Sequence, residues 1–156
     1  MLHIDQTKYY QGINFRKDPS SYRTGRSEHG ALLVEPYKSE ILPHWKFRTP
    51  EEARASSAII LRMFYQYCEE EDFIGADMSR KFLQMGWTRS RRHANHPSGH
   101  KFEDGMRKRM RISHSDQVAC PKAVSAAIFK KAYDEARSFH AYQAMYESWC
   151  NLSSMA

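Results

Sequence analysis

The chain has 156 residues, a formal net charge of +6, 41% apolar residues and 13% aromatic residues. That length suits a single domain with a real core, and the apolar and aromatic content excludes a disordered tail. No apolar run reaches the length of a membrane span, and the start, MLHIDQTKYY, lacks a basic segment followed by a long apolar one. The sequence therefore predicts a protein that neither sits in a membrane nor is secreted. Its three cysteines, Cys68, Cys120 and Cys150, are odd in number and far apart. They argue against a disulfide framework and for a reducing compartment, the cytoplasm or the nucleus.

The expected architecture is α+β but mainly α, one globular domain over residues 1–156. Three to four helices would pack around a small two- or three-stranded β element, with long aromatic-rich loops. Residues 1–30 read as an irregular wrap. Gly12, Pro19, Gly25 and Gly30 punctuate it, and Tyr9, Tyr10, Phe15 and Tyr22 serve as anchors. The apolar run ALLV, residues 31–34, is the clearest strand signal, and residues 45–48 (WKFR) are its expected partner.

Between those strands lies EPYKSEILPHW, dense in ionisable and aromatic residues: Glu35, Tyr37, Lys38, Glu40, His44 and Trp45. Folded against Arg80 and Arg91, they would form a mixed-charge cleft for a phosphorylated or carboxylated small molecule, with His44 or Glu35 as the acid-base group. The competing reading is structural, with Glu35 and Glu40 pairing with those arginines.

Residues 49–96 read as a helical basic core. Thr49 and Glu52 make a capping box, and Pro50 takes the first helical position. Ile59, Ile60, Met63, Phe64 and Tyr67 form an apolar stripe at helical spacing. Asp72 is the expected N-cap of a second helix through Phe73, Met78, Phe82 and Met85, closed by Gly86 in the left-handed conformation. Thr88 or Ser90 would then start a third, short helix that Pro97 ends.

Charge is unevenly spread over this region. Residues 80–111 carry ten Lys or Arg against Glu103 and Asp104, while residues 50–79 carry seven acids against Arg54 and Arg62. Arginine forks make two parallel hydrogen bonds to a phosphate or carboxylate. The sequence therefore predicts a basic module for a phosphate-rich ligand, nucleic acid foremost. Arg80, Lys81, Arg89, Arg91, Arg92, His96 and Lys101 would meet phosphates, and Trp87 would stack on a base. Two other readings stand beside it: a solvated face whose arginines pair with the acids of residues 69–72, and a docking surface for an acidic protein.

His93, His96 and His100 have a spacing that resembles metal ligands. Pro97 prevents one helix from aligning all three, and the surrounding cations oppose a dication, so no metal is predicted. No phosphate-binding loop, dinucleotide fingerprint or nucleophile elbow is present, and no cofactor is predicted. Residues 97–120 read as an exposed basic loop containing Arg107, Lys108 and Arg109. Pro121 starts a C-terminal helical segment over residues 121–152, with Val124, Ala127, Ile128, Ala132, Ala136, Phe139 and Tyr142 near one face and a break around Ser138. Met145, Tyr146 and Trp149 either dock the C-terminus on the core or form an oligomer contact, which leaves the oligomeric state open.

The strings GRSEHGALLVEPYKSEILPHWKFRTP and DFIGADMSRKFLQMGWTRSRRHAN resemble an uncharacterised family, domain of unknown function 4385, found in phages, bacteria and fungi. The likeness covers residues 14–101, with a looser echo in AAIFKKAYDEA. The chain departs from the family pattern at Ala76, where methionine is usual, and at His93, where an aromatic is usual. The second departure weakens a triad of His93 with His96 and His100. The resemblance brings no activity or catalytic residue. It implies a single intracellular domain whose motif residues include Tyr37, Lys38, His44, Trp45, Arg80, Lys81, Arg89, Arg91 and Arg92.

Overall fold

The computed structural model describes residues 10–24, 28–95, 102–103, 106–109 and 120–154. Its α-helices are α1 (Glu28–Ala31), α2 (Tyr37–Ile41), α3 (Pro50–Glu69), α4 (Phe73–Asn95), α5 (Pro121–Ser138) and α6 (His140–Ser154). Helix α4 is the axis of the described bundle, and each of the other described α-helices packs against it. Its first turns are buried almost all round, from Phe73 through Ser79. Such a helix belongs in the middle of a bundle, because it has no polar face to offer water there.

The expected β element is overturned. Ala31 closes α1, Leu32 and Leu33 form a turn, and the Val34 carbonyl accepts the Lys38 N–H at 2.8 Å, the first bond leading into α2. Pro36 supplies the N-cap position of α2, and the Glu35 carboxylate accepts the Ser39 N–H at 3.1 Å. The run ALLV is apolar because Ala31 and Val34 anchor two helical turns in the core, each 1% exposed. Residues 45–47 have no regular structure and join the bundle through rings: Trp45 lies 4.9 Å from Phe47 and 5.2 Å from Phe82. The one extended pairing among the described residues is a ribbon, β1 (Phe102–Glu103) with β2 (Met106–Arg109), whose strands pair only with each other. The core is therefore helix on helix, not helices around a sheet.

Helix α3 starts as its sequence dictates. Thr49 is extended and its hydroxyl accepts the Glu52 N–H at 3.1 Å. The Glu52 carboxylate reaches back one residue further than a capping box requires, to the Arg48 N–H at 3.0 Å. The buried stripe is Ala53, Ser56, Ser57, Ile60, Phe64, Tyr67 and Cys68, and Ile59 is turned outward at 36% exposure. The helix ends with Glu71 in the left-handed region at φ 56°, so that the Glu71 N–H meets the Cys68 carbonyl and the Asp72 N–H meets the Tyr67 carbonyl. These two bonds satisfy carbonyls that the helix end leaves free.

Asp72 then caps α4, its carboxylate accepting the Gly75 N–H at 3.2 Å. The two short helices expected around Gly86 are one helix of 23 residues. Gly86 is not a terminator. A Cβ there would lie 2.4 Å from Cδ1 of Phe129, so the missing side chain is what lets α5 sit against α4. Gly75 does the same for α3, where a Cβ would meet Cδ1 of Tyr67 at 2.3 Å. Both glycines weaken the helix by about 1 kcal/mol each relative to alanine. Full burial of large side chains such as Phe64, Phe82 and Phe129 offsets that, at about 1.5–3 kcal/mol each.

Phe139, with extended backbone, separates α5 from α6. Trp149 of α6 stacks on Phe73 at 5.1 Å and donates its indole N–H to the Tyr22 carbonyl at 3.4 Å. That contact seats the C-terminal helix on the start of α4 and on the buried Tyr22, which in turn packs edge-on against Phe15. No helix among the described residues is long and apolar enough to cross a membrane.

Candidate functional site

Arg80 and Lys81, both expected on an outward phosphate-binding surface, face inward. They follow Asp77 at i+3 and i+4 on α4, the spacing at which helical side chains meet. Asp77 is fully buried. Its carboxylate accepts hydrogen bonds from the Tyr22 hydroxyl, from the Tyr142 hydroxyl at 2.7 Å and from Arg80 at 2.5 Å, and Lys81 Nζ stands 3.8 Å away. Lys81 Nζ also lies 5.2 Å from the centre of the Tyr22 ring. Burial alone would raise the Asp77 carboxyl, but Arg80, Lys81 and the Tyr22 hydroxyl hold it below its ordinary value. Burial, aided by Arg80, brings Lys81 below its ordinary value although Asp77 opposes the shift. Burial and the Asp77 charge push Tyr22 and Tyr142 up, so both phenols keep their protons.

The EPYKSEILPHW residues build a different network. Glu40 is held by both terminal nitrogens of Arg16 at 2.8 Å and by the Tyr67 hydroxyl at 2.8 Å. The Tyr37 hydroxyl donates to the Asp72 carboxylate at 2.8 and 2.9 Å, and the Arg16 guanidinium lies 4.7 Å over the Tyr37 ring. Glu35 takes Lys38 at 3.6 Å. His44 is exposed in a short turn, Leu42–His44. The arginine that meets this segment's acids is thus Arg16, while Arg80 is held by Asp77.

The remaining basic residues gather at the other end of α4. Arg89 lies 5.0 Å over Trp45, Arg91 is half-buried, and Arg92 and His93 are exposed. Lys122, in the first turn of α5, reaches the Phe47 carbonyl at 3.5 Å, beside the exposed Lys46 and Arg48. The His93 imidazole sits below its ordinary value, first through burial and then through Lys122, Arg92 and Arg89. Trp87 is stacked on Tyr133 at 5.8 Å, with Lys130 Nζ 5.0 Å from its ring centre. His96, His100 and Lys101 lie outside the described residues.

Two depressions flank the bundle. One, about 540 Å³, lies between α4, α5 and α6, where Arg80, Gln84 and Arg137 line it. The other, about 650 Å³, runs between Arg16, Tyr37 and Asp72 on one side and Met145, Trp149 and Leu152 on the other. Among the described residues, no group of three or more His, Cys, Asp or Glu side chains is placed to hold a metal ion. Sequence reading takes Tyr22 as an anchor, Asp77 as one of several acids that could serve as a base, and Tyr142 as part of an apolar face, and does not bring the three together. The Asp77–Arg80–Lys81 spacing was the one available signal, since nothing local points to tyrosines 55 and 65 residues away from Asp77.

Comparison with curated proteins gives no match, and comparison with solved structures gives none either. The family model described as domain of unknown function DUF4385 matches residues 5–151, nearly the whole chain with α3 to α5 inside it. The chain therefore belongs to the DUF4385 family.

Proposed function

We propose that the chain is a basic module that binds a phosphate-rich polyanion, nucleic acid foremost, at the end of the bundle where α4 finishes and α5 begins. The observation that carries the reading is the position of His93. Its imidazole stands in the field of Lys122, Arg92 and Arg89, cations drawn from two helices. Lys46 and Arg48 extend the same surface through the segment that leads into α3. Arg80 and Lys81 take no part in it, because Asp77 holds them inside. Trp87 is occupied by its stack on Tyr133, so the reading rests on contacts to phosphates, which give affinity without base sequence preference.

The test is binding of labelled single- and double-stranded DNA and RNA by nuclease-treated protein at several salt concentrations. Three to four phosphate contacts give a log–log slope of about −3. Charge reversal at Arg91 and Arg92, and separately at Lys122, reduces affinity, while reversal at Arg54 and Arg62 on α3 leaves it unchanged. Absence of binding at low salt, or equal losses from both pairs, overturns the assignment. An acidic protein partner on the same surface would show itself as capture that survives nuclease treatment with no affinity for nucleic acid.

A further inference from the structure

We infer that the cleft of about 540 Å³ between α4, α5 and α6 is a second, separate binding site, for a small molecule that carries a carboxylate or phosphate on an apolar or aromatic body. The argument starts from charge. The buried trio contains one carboxylate, Asp77, and two cations, Arg80 and Lys81, whose side chains are only 13% and 8% exposed. One positive charge is left over in a place that water hardly reaches. Of the two cations, Arg80 lines the cleft.

Arg80 is positioned but not saturated. Its Nε donates to the Tyr142 hydroxyl at 3.1 Å, one terminal nitrogen to Gln84 at 2.8 Å and the other to Asp77 at 2.5 Å. A guanidinium has five N–H hydrogens, so two remain beyond these three bonds. The fork is held at three points, which fixes its plane before a ligand arrives and lowers the ordering cost of binding.

The walls repeat the pattern. Arg137, 54% exposed at the cleft, is oriented by Asp134 at 3.0 Å and lies 5.2 Å over Tyr133. Asp134 also takes Lys130 at 2.6 Å, so this trio too has one acid for two cations. Tyr133 and Tyr146 supply aromatic surface, and Gln84 and Gln143 supply amides. A pocket of this size, with aromatic walls and a few convergent polar groups, suits a small organic ligand. The surplus cations select an oxyanion on it. Tyr142 keeps its proton, so the site binds and orients, with no base for chemistry from that phenol.

The test uses the full chain and four probes: phenyl phosphate, benzoate, inorganic phosphate and uncharged benzamide, followed by calorimetry and thermal shift. Phenyl phosphate or benzoate binds with a rise in Tm and benzamide does not. Arg137→Ala weakens that binding about five- to tenfold. Gln84→Ala is a second variant, chosen because it keeps all charges. The paired reversal of Arg91 and Arg92 leaves binding of the aromatic probes unchanged, which separates this site from the basic end. The inference is overturned if neither aromatic oxyanion binds at millimolar concentration or if benzamide binds equally well. It is also overturned if inorganic phosphate alone binds with sensitivity only to Arg91 and Arg92, or if both cleft variants bind like the wild type.

Discussion

The hydroxyl of Tyr142 on α6 donates to the carboxylate of Asp77 on α4 at 2.7 Å, across 65 residues of sequence. The same oxygen accepts from Arg80 at 3.1 Å, so one phenol ties the last helix to both members of a buried ion pair. Removing one partner of such a pair leaves an unpaired charge in the interior, which is far more costly than replacing the whole set. Asp77→Asn is expected to lower stability by about 3–5 kcal/mol. Tyr142→Phe, which removes a hydrogen bond and leaves the charges, costs about 1–2 kcal/mol. Urea unfolding at neutral pH reads both.

The pH dependence of that effect has a definite sign. The folded Asp77 carboxyl lies below its ordinary value, so the unfolded chain binds that proton more readily. Its contribution is full above the unfolded pKa, about 3.9, and is lost as pH falls through the folded value. The gap between the wild type and Asp77→Asn therefore narrows at pH 3 relative to pH 7. On the alkaline side the tyrosines act in the opposite sense. Tyr22, Tyr37, Tyr67 and Tyr142 are raised, and Tyr65 is pushed up to about 12, first through burial in every case. Their stabilising contribution is present below about pH 10 and declines above it. A flat unfolding free energy between pH 9.5 and pH 11 would contradict this.

Glu71 holds a conformation that glycine adopts without cost, φ 56° at the end of α3. A non-glycine residue there is disfavoured by about 1–2 kcal/mol. It persists because the Glu71 and Asp72 N–H groups close the helix and place Asp72 to cap α4 and receive Tyr37. Glu71 is exposed, so replacing it removes little packing. Glu71→Gly is expected to stabilise the protein by about 1 kcal/mol and Glu71→Ala to leave it unchanged or weaker, as read by denaturant midpoint.

Gly86→Ala separates two roles for a glycine. If Gly86 merely ended a helix, alanine would strain a left-handed turn. In mid-helix, alanine would instead gain about 1 kcal/mol of propensity. The contact with Phe129 decides the outcome, since the new Cβ falls 2.4 Å from Cδ1 of a ring that is completely buried. The expected net result is a loss of about 1–3 kcal/mol from overpacking. Pairing it with Phe129→Leu should cost less than the sum of the two single changes, and strict additivity would count against the contact.

These residues also show where sequence reading stops. The caps at Thr49 and Asp72 are legible because their partners lie three residues away, within a local motif. Gly86 carries no such local signal. A glycine needed for close approach and a glycine needed for a left-handed turn look alike until the opposing ring is known. The run ALLV misleads in the same way: a short apolar run fits a buried strand or two anchored helical turns, and Pro36 together with the Val34–Lys38 bond selects the second. Charge density located a basic stretch but not its direction. Asp77 turns Arg80 and Lys81 inward, while Arg91 and Arg92 continue along the helix away from it. Arg16, which meets Glu40, comes from the N-terminal segment, and no spacing rule connects residues 24 positions apart.

His93 reports on the basic end directly. Burial comes first among the causes of its lowered value, and the cations Lys122, Arg92 and Arg89 follow. The cationic part is screened by salt, because the imidazole is exposed and the Debye length is about 10 Å at 0.1 M. Raising ionic strength is therefore expected to move the His93 pKa upward, and so is Arg92→Glu. A bound polyanion favours the imidazolium in the same way, so the complex takes up a proton, and affinity rises as pH falls through the His93 transition. Titration of the His93 ring resonances by NMR, with and without a short oligonucleotide, measures all three shifts. An upward shift with salt but none with oligonucleotide would locate the cations correctly and remove nucleic acid from this surface.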